Sequence, residues 1–188
     1  MSWPPPSRPL EEVRRLDVAA YGAIAGTPTP ALDSALSRLS RAADYSRLSL
    51  ASAVVLAVAG GPRGRRAAVR GMAAVAVTAT IVNAVIKPAL RRRRPDRAAA
   101  SGPPGRQVRM PASHSFPSGH SAAAFAFATG AGQALPWTAP PLNALAGLVA
   151  YSRVHTGVHY PVDVIAGSFC GITLAASTNR ALDFIPIG

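Results

Sequence analysis

Three stretches of the chain hold residue types that rarely meet by chance. Lys87 is followed by six residues and then by Arg94-Pro95. Pro117-Ser118-Gly119-His120 stands further on. Ser152-Arg153 is followed, after five residues, by His159 and, after three more, by Asp163. A guanidinium forks two oxygens of a tetrahedral oxyanion at once, and an ammonium adds a compact point charge. Of the 20 basic residues only Lys87 is a lysine. A chain so biased toward arginine keeps a lysine where a small, flexible cation is wanted. Pro117–His120 reads as a helix start: proline suits the first turn, glycine lets backbone approach an anion, and the free N–H groups there attract phosphate. Pro161 marks another helix start between His159 and Asp163. An aspartate so placed can reach back to one imidazole nitrogen, fix the tautomer and leave the other nitrogen free to attack. His120, from a different helix, could protonate the leaving oxygen. Nucleophile, orienting carboxylate, acid and oxyanion clamps together describe phosphoryl transfer. A metal reading competes, because His155, His159 and Asp163 recur at four-residue spacing. Gly157 and Pro161 interrupt the helix such a face would need, so neither a metal nor a cofactor is expected.

Elements must bring these stretches together. Hydrophobic residues make up 49% of the 188-residue chain and charged residues 15%, with a formal net charge of +12. Soluble domains average about 25% charged residues. The apolar content argues against disorder, and Cys170, the only cysteine, excludes a disulfide scaffold. Charge-free runs cover Leu48–Gly61, Gly71–Ile86, Ser121–Ser152 and Val164–Asn179. Pro136, Pro140 and Pro141 cut the third run into two helices, which makes five. Each is at or just under the roughly 17–25 residues of a spanning helix, and flanking arginines can snorkel to extend it. Residues 10–25 and 30–42 read as amphipathic helices; in the second, Leu32, Leu36 and Leu39 form a stripe that Arg38 and Arg41 avoid. Met1–Pro9, with Trp3, reads as an interfacial or disordered arm.

The expected fold is therefore all-α, an integral membrane helical bundle of about five transmembrane helices plus N-terminal amphipathic helices. It is a single domain, 1–188, with an N-terminal part over 1–46 and the catalytic bundle over 47–180. A soluble all-α bundle is the alternative, and five charge-free runs in so short a chain argue against it. If the helices alternate in direction, the end of the second run, the start of the third, the end of the fourth and the start of the fifth share one face. Lys87, Arg94, His120, Arg153, His159 and Asp163 then converge.

The three stretches resemble the signature motifs of the type 2 phosphatidic acid phosphatase superfamily, which also includes vanadium haloperoxidases. All three match in order and without departure, over about Leu48–Asn179. The resemblance implies metal-independent dephosphorylation through a phosphohistidine. It casts His159 as nucleophile, Asp163 as its partner and His120 as acid. Lys87, Arg94 and Arg153 become phosphate ligands, with Ser118 and the Gly119 backbone helping. The implied substrate is a lipid phosphate: a polyprenyl phosphate or pyrophosphate, a polyprenyl phosphosugar, phosphatidate or phosphatidylglycerol phosphate. Heavy arginine and alanine usage points to a high-GC bacterium, so the expected setting is a bacterial inner membrane, with membrane lipids and no nucleic acid as partners. Two rivals remain. A vanadate-dependent haloperoxidase would use the same cradle, but such relatives are typically large and soluble. A non-enzymatic basic protein that binds anionic lipid would leave His120, His159 and Asp163 unexplained.

Outside the motifs, Arg91, Arg92, Arg93 and Arg97 read as a lipid-headgroup patch. His114 reads as a solvated loop residue, Trp137 as an interfacial anchor and Cys170 as packing. Alternating helices leave Arg63, Arg65 and Arg66, in a loop, with Arg70 and Arg180 on the face opposite the motifs. All other arginines fall on the motif face, so the positive-inside rule turns that face toward the cytoplasm, while anion-binding arginines inflate the count and many bacterial relatives of the family face outward instead.

Overall fold

A computed structural model describes residues 8–97 and 103–184. The first seven positions of the expected N-terminal arm, Trp3 included, lie outside the described residues. Among the described residues eight α-helices follow in order: α1 (Arg8–Gly26), α2 (Pro30–Ala42), α3 (Arg47–Ala59), α4 (Gly61–Ile81), α5 (Lys87–Leu90), α6 (Gly119–Ala134), α7 (Ala139–His155) and α8 (Pro161–Asp183). Among the described residues there is no strand. The amphipathic stretches are α1 and α2, the apolar runs are α3, α4, α6, α7 and α8, and a 3₁₀ turn at Pro136–Thr138 separates α6 from α7.

Two helical segments are long and apolar enough to cross a membrane, Gly61–Leu90 with 30 residues and Pro161–Asp183 with 23. The pair Pro30–Ala42 and Asp44–Ala59, bent by 66°, makes a third if taken as one broken span. One boundary differs from expectation. α4 begins at Gly61, so Arg63, Arg65, Arg66 and Arg70 ride on its opening turns rather than in a loop. Pro62 pre-sets the first turn and arginine is a good helix former, so the helix continues through the charges.

The bundle is inverted relative to a soluble one. Large side chains such as Val58, Ile165 and Phe169 point outward, while the fully enclosed positions include Ala67, Ala74, Ala126, Ala131 and Ala175. Lipid is as apolar as leucine, so helices gain by close backbone approach rather than by hiding bulk. α6 is the hub, packed against α4, α7 and α8. A Cβ on Gly130 would lie 3.0 Å from Ala74 Cβ and 3.1 Å from Gly71 Cα. Gly167 and Gly171 lay α8 directly on the backbone of Ser118 and Ala122. Asn179 Nδ2 donates to Gly130 O (3.1 Å) and Gln133 Oε1 (2.8 Å), tying the far ends of α6 and α8.

Local chemistry sets how helices reach the motif end. One turn before its end, the 61–90 segment widens into a π turn at Val82–Ile86, just before Lys87-Pro88. Proline offers no N–H to the carbonyl four residues back and its ring crowds it, and a widened turn relieves both problems. α1 and α2 cover the site ends of α7 and α8. Arg106 fastens them: its guanidinium donates to the α1 carbonyls of Ile24 and Ala25 (both 3.1 Å), to Thr27 O (2.8 Å) and to Asp33 Oδ1 (3.0 Å).

Candidate active site

The end of the 61–90 segment, the start of α6, the end of α7 and the start of α8 meet at one end of the bundle, as helix alternation requires. His159 lies in the turn between α7 and α8 and is 1% exposed. That turn leaves α7 through Gly157, whose φ of +71° favours glycine. Arg94 Nη1 lies 3.2 Å from His159 Nε2. A guanidinium only donates, so Nε2 is the unprotonated, lone-pair nitrogen and Nδ1 carries the proton. Nδ1 faces Ser115 Oγ at 3.4 Å and Asp163 Oδ2 at 3.5 Å. Ser115 in turn donates a short hydrogen bond to Asp163 Oδ2. The expected His159–Asp163 pairing is thus present, and Ser115 sits between the partners as a bridge.

Asp163 is fully buried and strongly held. Its Oδ2 accepts from the Tyr160 N–H at 2.9 Å and its Oδ1 accepts from Arg92 Nη1 at 2.7 Å. The second arm of Arg92 reaches Asp17 Oδ2 at 2.5 Å, and the guanidinium stacks over Tyr160, 4.4 Å from its ring centre. Asp17 also accepts from the Val162 N–H at 2.9 Å. This corrects the reading of Arg92 as part of a lipid patch: two buried carboxylates require a cation, and Arg92 supplies it. Arg97 is likewise internal, donating to Gly157 O (3.2 Å) and Val108 O (2.7 Å). Arg91 and Arg93 are exposed.

The cations line the other side of His159. Arg94 is anchored through Ser113 O (2.9 Å) and Val158 O (2.7 Å). Lys87 Nζ reaches Ser113 Oγ at 3.5 Å and lies 3.2 Å from where a Cβ on residue 119 would stand, so Gly119 leaves the ammonium its room. Arg153, 1% exposed, donates from Nη1 to Ser40 O and Oγ, while its buried Nε has no partner. His120, on the first turn of α6, lies within electrostatic reach of Arg153, His159, Lys87 and Arg94. Its Nε2 is 2.9 Å from Asp44 Oδ1. Ser118 is the N-cap of α6: its buried hydroxyl accepts from the Ser121 N–H at 3.4 Å. The α6 amides of the first turn have no intrahelical acceptors.

Burial shapes the electrostatics. It pulls the His159 imidazole down to about 4, against the opposing hydrogen bond to Asp163. It also pulls Arg94 down to about 10, against the attraction of Asp163. Both shifts favour the less charged form, and an anion entering the site opposes both. His155 does not join His159 in a metal face; its Nε2 pairs with Asp33 Oδ1 at 3.0 Å, beneath α2. His114 is an exposed loop residue whose carbonyl accepts from Arg94. Sequence reasoning did not find Ser113, Ser115, Asp17, Asp33 or Asp44. None belongs to a spaced motif, and each reaches the site through a loop or an N-terminal helix.

The fold is shared with solved structures. The transmembrane PAP2 type phosphatidylglycerolphosphate phosphatase from Bacillus subtilis matches with a TM-score of 0.71 over 94% of this chain and 90% of that one, at 24% identity. LpxE of Aquifex aeolicus matches with a TM-score of 0.67 over 88% and 95%, at 22% identity. In sequence, the decaprenylphosphoryl-5-phosphoribose phosphatase of Mycobacterium tuberculosis is 37% identical over 130 residues, 69% of this chain and 66% of that protein. The undecaprenyl-diphosphatase of Sulfolobus acidocaldarius is 46% identical over 66 residues, 32% of this chain and 30% of that protein. The chain thus spans less than two thirds of the length of either relative. The PAP2 superfamily model matches residues 68–185, a range that holds all three motifs and most of the bundle, and this membrane protein with its apolar helices belongs to that superfamily.

Proposed function

We propose that the chain hydrolyses the terminal phosphate of a membrane lipid through a phosphohistidine, without a metal. The observation that carries this is the setting of His159: Nε2 lies beside the Arg94 guanidinium, which can only donate, while Nδ1 is turned toward Ser115 and Asp163. Nε2 attacks phosphorus and the bond from phosphorus to the lipid oxygen breaks. His120, in its protonated imidazolium form, gives a proton to that oxygen, and the lipid alcohol or phosphate departs. Asp163 offsets the positive charge that develops on the His159 ring. Water then attacks phosphorus as the bond from phosphorus to His159 Nε2 breaks, the now neutral His120 takes the water's proton, and inorganic phosphate leaves. Lys87, Arg94 and Arg153, with the α6 first-turn amides at Gly119, hold the non-bridging oxygens. Ser118 serves by fixing the start of that helix. Three side-chain cations supply the positive charge that a metal supplies in other phosphatases.

The bundle of α3, α4, α6, α7 and α8 forms one catalytic domain in a bacterial inner membrane. The substrate class is a polyprenyl phosphate, diphosphate or phosphosugar, supported by the names of the two sequence relatives. Phosphatidate and phosphatidylglycerol phosphate are the alternatives. The test is phosphate release by the purified protein in detergent, with EDTA, from a polyprenyl diphosphate, a polyprenyl phosphosugar, phosphatidate and phosphatidylglycerol phosphate. Release that survives EDTA and disappears in His159→Ala is the expected result. Release abolished by EDTA overturns the metal-free mechanism, and release unchanged in His159→Ala overturns the histidine nucleophile.

A further inference from the structure

A carboxylate stands among the cations of the site. Asp44 Oδ1 lies 2.9 Å from His120 Nε2 and 3.5 Å from Arg153 Nη1. One oxygen thus meets two groups that, on the reading above, serve a phosphate. The same side chain keeps 39% of its exposure, so it reaches the cradle from the open side. A phosphate arriving at these groups meets a carboxylate of its own sign at contact range, and that repulsion drives Asp44 out of the cradle. His120 must also release it before Nε2–H can protonate a leaving oxygen. Asp44 rides on a link suited to such movement. Tyr45 and Ser46, neither a glycine, have φ of 55° and 56°, and the flanking helices are bent by 66°.

We infer that Asp44 is a specificity-determining residue, a carboxylate that fills the empty phosphate cradle and yields to a doubly charged terminal phosphate but not to a singly charged phosphodiester. The inference rests on the phosphatase reading and follows from counting charge. A phosphate monoester carries about −1.5 to −2 near neutral pH. Exchanging Asp44 for it adds negative charge to a site built of Lys87, Arg94 and Arg153. A phosphodiester brings a single charge, so the exchange gains nothing and still opens the Asp44 contacts. The distinction matters to a protein set among diester headgroups, which outnumber any substrate. Asp44 also competes with the inorganic phosphate left after turnover.

The experiment compares the full-length protein with Asp44→Asn, which keeps the shape and removes the charge. Asp44→Glu keeps the charge and controls for disturbed folding, alongside thermal melts of all three. Calorimetric binding of inorganic phosphate and of a short-chain phosphatidylglycerol, a soluble diester, needs no turnover. Asp44→Asn is expected to bind the diester at least about tenfold tighter, with a smaller gain for phosphate, so that selectivity falls. Asp44→Glu keeps the exclusion. In turnover, diester vesicles inhibit Asp44→Asn about tenfold more strongly than the parent. Unchanged diester binding and inhibition overturn the inference. So does a loss confined to kcat, which makes Asp44 a partner of His120 alone. If the parent releases no phosphate from any lipid, the phosphatase reading falls, and the binding arm still decides what Asp44 excludes.

Discussion

His159 is held between a burial that keeps it neutral and a carboxylate that favours its charged form. Burial prevails in the empty site, which suits a nucleophile. Removing the ring in His159→Ala is expected to lower turnover by at least about 10³-fold. The same residue makes stability depend on pH. Its folded pKa of about 4 lies below the unfolded value of 6.5, so between them the unfolded chain binds more protons. Stability therefore rises with pH across that window and is lost as pH falls from 6.5 toward 4. Melting curves across this range should show the slope flattened in His159→Gln. Arg92 supplies a second test. Arg92→Ala leaves Asp17 and Asp163 buried without their cation and should cost about 3–5 kcal/mol, read as a drop in melting temperature. Arg93→Ala, its exposed neighbour, should leave the melt unchanged. The contrast shows what the sequence could not separate. Four arginines in a row look alike, and only the fold distinguishes the one that finds two buried carboxylates. Lys87, Arg94, Arg153, His120, His159 and Asp163 were legible because their spacing and helix direction bring them to one place. Ser115, Asp17 and Asp44 were not, since a lone serine or aspartate carries no spacing.

Helices in this chain are told apart by their small residues. Gly171 of α8 rests on the Ala122 carbonyl of α6, where any Cβ would collide with backbone. Gly171→Leu should lower stability by about 1–3 kcal/mol through overpacking. It should also reduce activity, because α8 carries Asp163 and α6 carries His120. A thermal melt paired with a phosphate-release assay reads both effects. Gly147 of α7 meets nothing within 4 Å of a built Cβ, so Gly147→Ala should be tolerated by both measures. Element order and the Pro136 break were legible from charge-free runs and prolines. The true start of α4 was not, because four arginines on a helix look like a loop when helices are sought by their lack of charge. The link at Asp44–Ser46 was also hidden, as Tyr45 and Ser46 give no sign of a positive φ.

Across the molecule, charge is gathered at one end. Arg63, Arg65, Arg66 and Arg70 mark the end far from the motifs, where Arg70 also pairs with Asp183 at 2.5 Å. The larger set, on α1, α2 and the 91–97 segment, marks the motif end. The positive-inside rule then predicts that a reporter inserted at the Gly60-Gly61 turn, or fused after the C-terminus, reads as non-cytoplasmic. A cytoplasmic signal at either point reverses the orientation. The inverted packing reaches further. The interior is held by alanine, glycine and a few hydrogen bonds between helices, whereas outward side chains such as Val54, Val55, Val58, Ile165 and Phe169 face only the solvent that surrounds the bundle. They specify which medium the protein lives in, and little about what it is. A version with that outer layer exchanged for polar residues would keep its interior contacts and its cradle, and would dissolve in water. On the proposed function, the greasy tail of the substrate would then be the sole reason for the protein to visit a bilayer.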